Sequence, residues 1–414
     1  MFDNTDSLPK VLLAAVDFGQ EYFEESLEEL RELAKTAGAQ VQGVFTQKKE
    51  APDSTTYIGS GRLEEIKQFC ADNETELIVF DGELTPRQLT NIEDATDVRT
   101  IDRTMLILDI FASRARSSEG KLQVELAQLK YMLPRLTGKG IEMSRLGGGI
   151  GTRGPGESKL ETDRRHIRRR IESLTEKLSE VEKRRTTLRS RRKKDEVVTA
   201  AIVGYTNAGK STLLNTLTQA GVLAENMLFA TLDTTARALT LPSGADVLLI
   251  DTVGLIRNLP HHLINAFRST LEEAAFADII INVCDASDPN CRSQLEVTEN
   301  LLRELGAADS RMITVLNKCD MVPNMEFFGL TGLKISAKTG EGLDRLLDAI
   351  DDAMPVKRVR MRLLLPFDKL GEAARIRDRG TVFSEEYTDG GLLLDCSVEL
   401  PIAASLKQYL QEVK

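Results

Sequence analysis

The chain has little of the chemistry that would make it a metalloprotein or a disulfide scaffold. Its 414 residues hold three histidines, His166, His261 and His262, and five cysteines, Cys70, Cys284, Cys291, Cys319 and Cys396. The cysteines are odd in number, scattered and without C-x-x-C spacing, so neither a disulfide framework nor a zinc site is supported. His261 and His262 follow Pro260 and read as a surface turn rather than a catalytic element. No apolar run approaches the roughly 20 residues of a membrane span, and Met1-Phe2-Asp3-Asn4 offers neither a basic nor an apolar leader region. These absences lead to the expectation of a cytoplasmic protein. What is present is ordinary globular composition, 41% apolar and 29% charged, in a chain long enough for about two to four cores.

The run Gly204-Tyr205-Thr206-Asn207-Ala208-Gly209-Lys210-Ser211, continued by Thr212, has the form G-x-x-x-x-G-K-S. An apolar, β-branched stretch from Val197 to Val203 precedes it, and Leu213, Leu214 and Leu217 give the following stretch helical spacing. Strand, glycine loop and helix in that order form a phosphate cradle. Backbone N–H groups and the helix N-terminus face the phosphates, Lys210 reaches the β/γ oxygens and Ser211 ligates Mg2+.

Further motifs turn a phosphate site into a guanine site. Asp251-Thr252-Val253-Gly254 ends the apolar strand Val247 to Ile250. Asp251 is thereby placed in the outer magnesium shell, and the Gly254 amide can swing onto a γ-phosphate. Asn317-Lys318-Cys319-Asp320 ends the strand Met312 to Leu316, and the Asp320 carboxylate offers two acceptors to the guanine N1–H and exocyclic amine. Adenine presents no such donor pair. Ser336-Ala337-Lys338 would supply the Ala337 N–H to the guanine O6. In the first-switch segment Phe229-Ala230-Thr231-Leu232, Thr231 is the candidate mobile magnesium ligand, with Thr234 and Thr235 as rivals. After Gly254 stands Leu255, where Ras-type GTPases carry a glutamine that orients the attacking water. The expected consequence is slow intrinsic hydrolysis that depends on a partner. Asn207 is either a turn stabiliser or, by resemblance to potassium-activated GTPases that place a side-chain ligand at this position, a K+ ligand.

Charge is concentrated in one place. From Arg164 to Lys194 there are fourteen Lys and Arg against four Glu, a local +10 in a chain of net charge −10. The same stretch carries Ile167, Ile171, Leu174, Leu178, Val181 and Leu188 at coiled-coil spacing, and Leu122, Leu126, Leu129 and Leu133 repeat it upstream. Two such helices predict an antiparallel hairpin. Between them, Thr137 to Gly156 contains eight glycines in twenty residues, with Lys139, Arg145 and Arg153. A basic glycine-rich tip can follow irregular RNA; Arg164, Arg165, Arg168 and Arg169 are further RNA-binding candidates. The G-x-G-x-x-G within Gly149 to Gly154 lacks a preceding strand, which argues against a dinucleotide fingerprint. The alternatives are a solvated basic helix face and an inert linker.

The expected fold is α/β and multi-domain. Residues 1–103 alternate strands and helices, giving a small parallel-sheet domain. A helical coiled-coil hairpin follows over 104–195, a P-loop GTPase domain over 196–355 and a small α+β domain over 356–414.

Several stretches together resemble the HflX family of translational GTPases across almost the whole chain. They are Thr56-Tyr57-Ile58-Gly59-Ser60-Gly61, Glu119 to Leu129, Gly151-Thr152-Arg153-Gly154-Pro155-Gly156-Glu157 and Leu160-Glu161-Thr162-Asp163-Arg164-Arg165. They are joined by Gly204 to Ser211 and Asp251 to Gly254. The chain departs from the family pattern at Leu255, where Phe is expected, at Thr234 in place of Pro, and at Ser158-Lys159 in place of Thr-Gln. The resemblance implies a GTP- and GDP-binding monomer that engages the large ribosomal subunit through its hairpin and splits or rescues stalled or idle ribosomes. It implies a cytoplasmic location, ribosome-associated or peripheral to the membrane. It also allows an ATP-related role for residues 10–103, which carry no phosphate-loop motif. The alternative function is a GTP-controlled RNA remodeller or protein adaptor acting away from ribosomes.

Overall fold

The computed structural model describes residues 8–136, 159–194, 197–218, 228–229, 235–257, 268–307, 310–322, 329–355 and 358–411. The hairpin tip, with Lys139, Arg145 and Arg153, and Ala230, Thr231 and Leu232 of the first switch lie outside the described residues. The chain forms two compact units. One comprises Met1–Arg185 together with Asn226–Asp233 and Ile256–Arg268; the other comprises Thr186–Glu225, Thr234–Leu255 and Ser269–Lys414.

The first unit is built on four parallel strands, β1 (Lys10–Asp17), β2 (Gln40–Lys48), β3 (Leu77–Asp81) and β4 (Arg99–Asp102), in the order β2-β1-β3-β4. Six consecutive residues of β1, Val11 to Val16, are buried. A continuous apolar run of this kind is what a strand covered by helices on both faces requires. The helices are α1 (Phe23–Thr36), α2 (Ser60–Asn73), α3 (Pro86–Thr96) and α4 (Arg103–Arg114). Helix α3 opens with a reciprocal capping box between Thr85 and Gln88, which satisfies two N-terminal amides. Helix α4 opens on Asp102, whose carboxylate accepts from the Met105 amide at 3.0 Å. Leu106, Ile107, Leu108, Ile110 and Phe111 are all buried, so α4 is a core helix of this sheet.

The hairpin arms are α5 (Ser118–Met132) and α6 (Lys159–Lys194), 15 and 36 residues long. Arg164 donates to the Leu136 carbonyl at 2.8 Å, Arg170 pairs with Glu125 at 2.7 Å and Arg185 with Glu119 at 3.1 Å. Residue numbers fall on one arm as they rise on the other, so the arms are antiparallel. Ile167 and Leu174 are buried, whereas Leu188, expected in the same seam, is 52% exposed. The physical reason is length: Arg185 already pairs beside the first residues of α5, and α6 continues past the end of its partner.

The second unit contains a six-stranded sheet in the order β10-β9-β8-β5-β7-β6. Its strands are β5 (Val198–Gly204), β6 (Thr235–Thr240), β7 (Asp246–Asp251), β8 (Ile279–Asp285), β9 (Arg311–Asn317) and β10 (Leu333–Lys334). Only the edge strand β6 runs antiparallel to its neighbour. Central β5 and β8 are the most deeply buried; α7 (Lys210–Thr218), α8 (Arg268–Ala275) and α9 (Cys291–Glu304) lie between strands, and α10 (Leu343–Asp352) follows β10. After it, β11 (Arg358–Leu365), β12 (Thr381–Thr388) and β13 (Gly391–Glu399) form an antiparallel sheet in the order β11-β13-β12. Met361, Leu363, Leu365, Leu392, Leu394, Cys396 and Val398 alternate onto one buried face with residues of α11 (Leu370–Arg379) and α12 (Leu400–Leu406). This is the period-2 pattern of a one-faced sheet. Among the described residues no helix is long and apolar enough to cross a membrane.

Candidate nucleotide site

The candidate site lies at the carboxyl ends of β5, β7, β9 and β10, where loops from parallel strands converge. Strand β5 delivers Gly204 into a turn that α7 resumes at Lys210. Two glycines in this neighbourhood are dictated by space. At Gly209, where φ is +91°, a Cβ would lie 2.3 Å from the Asn317 side-chain nitrogen; at Gly254 it would lie 2.8 Å from Thr206 Cγ2 and 3.1 Å from Lys210 Nζ. Asn207 occupies the crest of the loop, exposed and left-handed at φ 61°.

Lys210 is 7% exposed and donates to the Gly204 and Tyr205 carbonyls at 3.1 and 2.8 Å. Burial pushes its ammonium down to about 8, opposed by the nearby Asp251 carboxylate. The cation is therefore held by the main-chain carbonyls of its own loop. Ser211 Oγ donates to Asp251 Oδ2 at 2.8 Å, and Asp251 is fully buried. Thr252 is tied to β5 through the Ile202 carbonyl at 2.8 Å.

Leu255 meets the loop through its backbone. Its N–H donates to the Gly204 carbonyl at 3.1 Å and its carbonyl accepts from the Thr206 N–H at 2.8 Å. Val253 and Leu255 are buried. The position that lacks a water-orienting side chain is thus a main-chain clasp between the two loops.

The motifs expected at the base come together at the ends of β9 and β10. Asn317 is 2% exposed; its amide donates to the Ala208 carbonyl at 2.8 Å, and its Oδ1 accepts from the Ala337 N–H at 2.9 Å. It braces the phosphate loop against the Ser336-Ala337-Lys338 turn. Thr216 of α7 reinforces this by donating to the Ala337 carbonyl at 2.7 Å. Lys318, left-handed at φ 63°, pairs with Asp285 at the end of β8 at 2.6 Å. Ser336 is buried and accepts from the Thr339 N–H at 3.1 Å, while Asp320 and Lys338 are exposed. The braces are interior and Asp320 is exposed. The roles of Asn317 and Asp285 escaped the sequence reading because both depend on contacts between distant loops.

Phe229, from the first-switch segment, is buried at 2% exposure. Its left-handed φ of 53° is unusual for an aromatic residue. Among the RNA-binding candidates, Arg165, Arg168 and Arg169 are exposed along α6, whereas Arg164 is half-buried and spent on the Leu136 carbonyl.

Comparison with known proteins gives the family. Family models described as GTP-binding GTPase N-terminal, GTP-binding GTPase Middle Region and 50S ribosome-binding GTPase match residues 24–112, 114–192 and 199–318. The chain is 51% identical over 387 residues to GTPase HflX of Caldanaerobacter subterraneus subsp. tengcongensis, covering 94% of this chain and 90% of that protein. It is 50% identical to GTPase HflX of Lacrimispora saccharolytica, covering 96% and 95%. It is 40% identical to GTPase HflX of Escherichia coli, covering 92% and 90%.

Proposed function

The chain belongs to the HflX family of GTPases and hydrolyses GTP, and we propose that it binds the large ribosomal subunit and uses its GTP cycle to split or rescue stalled or idle ribosomes. The observation that carries this reading is the match of residues 199–318 to a ribosome-binding GTPase. The basic, exposed stripe of Arg165, Arg168 and Arg169 on α6 supports it, because phosphate contacts supply most of the affinity for a nucleic-acid surface. The division assigned to these tasks is 1–103, 104–195, 196–355 and 356–414, acting as a cytoplasmic monomer.

In this reading Gly204 to Thr212 cradle the phosphates of GTP or GDP with backbone amides, and Lys210 transfers its donors from the Gly204 and Tyr205 carbonyls to phosphate oxygens. Asp320 accepts from the guanine N1–H and amine, the Ala337 N–H serves O6, and Asn317, Lys318, Ser336 and Lys338 shape the base pocket. The all-oxygen pair of Ser211 and Asp251 fits Mg2+, which favours a few protein oxygens completed by water and phosphate. Ser211 and Thr231 would hold it, with Asp251 behind Ser211, and when bound it would neutralise charge on the phosphates. Asn207, exposed on the loop crest, is the K+ ligand. Leu255 contributes no side-chain hydrogen bond, so water must be oriented by a partner, and hydrolysis accelerates on the ribosome.

Co-sedimentation with purified large subunits tests the proposal. The full chain should pellet with a non-hydrolysable GTP analogue, pellet less with GDP, and lose binding steeply as salt rises. Equal recovery in the supernatant under all nucleotide conditions would favour the adaptor reading.

A further inference from the structure

The amino-terminal sheet has a topological switch point. From β1 the chain turns outward to β2 and then returns past β1 to β3. In open parallel sheets the crevice at the carboxyl edge of such a point is where ligands bind. Here it is filled from within. Arg103, the first residue of α4 and 3% exposed, ion-pairs with Asp81 at the end of β3 at 2.8 Å and with Glu29 of α1. It also donates to Ser26 Oγ at 3.3 Å, which itself donates to Asp81 at 2.9 Å.

The same guanidinium reaches one group more. Its second terminal nitrogen donates to the Arg257 carbonyl at 3.3 Å, and the Arg257 guanidinium lies 4.1 Å from the centre of the Tyr22 ring, just before α1. Arg257 stands two residues after Leu255, whose backbone clasps the phosphate loop. Eight residues further along α4, Phe111 meets Phe229 edge-on, with ring centres 4.6 Å apart and planes at 82°. Phe229 stands two residues before Thr231. One helix therefore touches both segments that a γ-phosphate must reorganise in a GTPase. The strained left-handed backbone of Phe229 is the kind of conformation that persists only when its surroundings enforce it.

We propose that α4 is a reader of the nucleotide state, in which Arg103 and Phe111 are positioning residues that hold the second and first switch segments in the arrangement seen here. The inference rests on the assignment of Gly204 to Ser211 as the phosphate site. A γ-phosphate that accepted from the Gly254 N–H would draw that loop inward, and chain connectivity would carry Arg257 with it, off α4; reordering of the first switch would act on Phe229 in the same way. GDP makes no such demand. Contacts made in only one of two arrangements bias the equilibrium toward it by their differential free energy, so α4 raises the threshold for the GTP arrangement.

Arg103→Lys is the informative variant in the full-length protein. Lysine keeps the positive charge against Asp81 and Glu29, but its compact ammonium cannot also bridge to the Arg257 carbonyl as the planar fork does. The affinities of a non-hydrolysable GTP analogue and of GDP, measured by titration, give a ratio that a purely structural role would leave unmoved. Arg103→Lys should raise the preference for the GTP analogue about tenfold, as expected for loss of one hydrogen bond from a charged donor. Phe111→Leu should act in the same direction. Tyr22→Ala, at a half-buried surface position, should produce a smaller rise and remains informative if either of the others fails to fold. Steady-state GTP hydrolysis should show the change in KM more than in kcat. An unchanged ratio in the folded variants, or a shift toward GDP, overturns the inference. A wild-type protein that bound neither nucleotide would instead overturn the site assignment.

Discussion

Two sheets in this chain, one parallel and one parallel but for its edge strand, share an architecture and differ in what their first turn does with its backbone. After β1, the Asp17 carboxylate accepts from the Gly19 N–H at 2.7 Å and the Gln20 side chain accepts from the Phe18 N–H at 2.7 Å. The turn consumes its own donors. After β5, the equivalent turn is shaped by glycine, by the buried Lys210 ammonium and by the Asn317 brace. Its surroundings favour an anion, because a helix N-terminus and a lysine converge there. The crevice of the first sheet is closed by the Arg103, Asp81 and Glu29 cluster. Parallel strands and covering helices alone do not make a nucleotide site; the residues at the switch point decide.

The comparison breaks most visibly at Lys210. Lys210→Ala should weaken GTP and GDP binding about a hundredfold, since a buried cation with more than one charge-assisted contact is removed. Asp17→Ala, in the corresponding turn of the first sheet, should leave nucleotide affinity unchanged within about twofold. Calorimetric titration of the two variants measures the contrast, and a comparable loss from both would end it. A smaller effect is expected from Asn317→Ala. The substitution leaves the Ala208 carbonyl and the Ala337 N–H without their shared partner, a cost of about 1–3 kcal/mol, and should reduce guanine-nucleotide affinity about tenfold while lowering the melting temperature by a few degrees. Unaltered affinity would show that the brace is not needed to set the loop.

Much of this was legible because it is local. Strand β1 is a continuous apolar run and β5 and β8 are nearly so, the phosphate loop is contiguous, Asp251 and Asn317 each end a strand, and Ser336 follows one by two residues. The hairpin was legible as a heptad pattern, but the exposure of Leu188 was not, because the spacing of one helix does not report where its partner ends. Arg103 follows a short strand and reads as an ordinary surface charge until Asp81, Glu29 and Ser26 are brought around it from two other elements. Arg164 was read with its neighbours as part of a basic stripe, yet it bends back onto Leu136. In each case the missing information was a contact distant in sequence, which neither periodicity nor motif spacing encodes.

The central claim is that a guanine nucleotide held at the end of β5 controls engagement of the large ribosomal subunit. Asp320→Asn should exchange guanine for xanthine recognition, since xanthine presents the complementary pattern at that edge, and the exchange should appear in ribosome binding itself. Co-sedimentation of this variant with large subunits measures both at once. The account predicts recovery in the pellet with a non-hydrolysable xanthosine triphosphate analogue and loss of it with the guanosine analogue, the reverse of the wild type. Pelleting of the variant that is indifferent to both analogues, or that still follows the guanosine analogue, would contradict it.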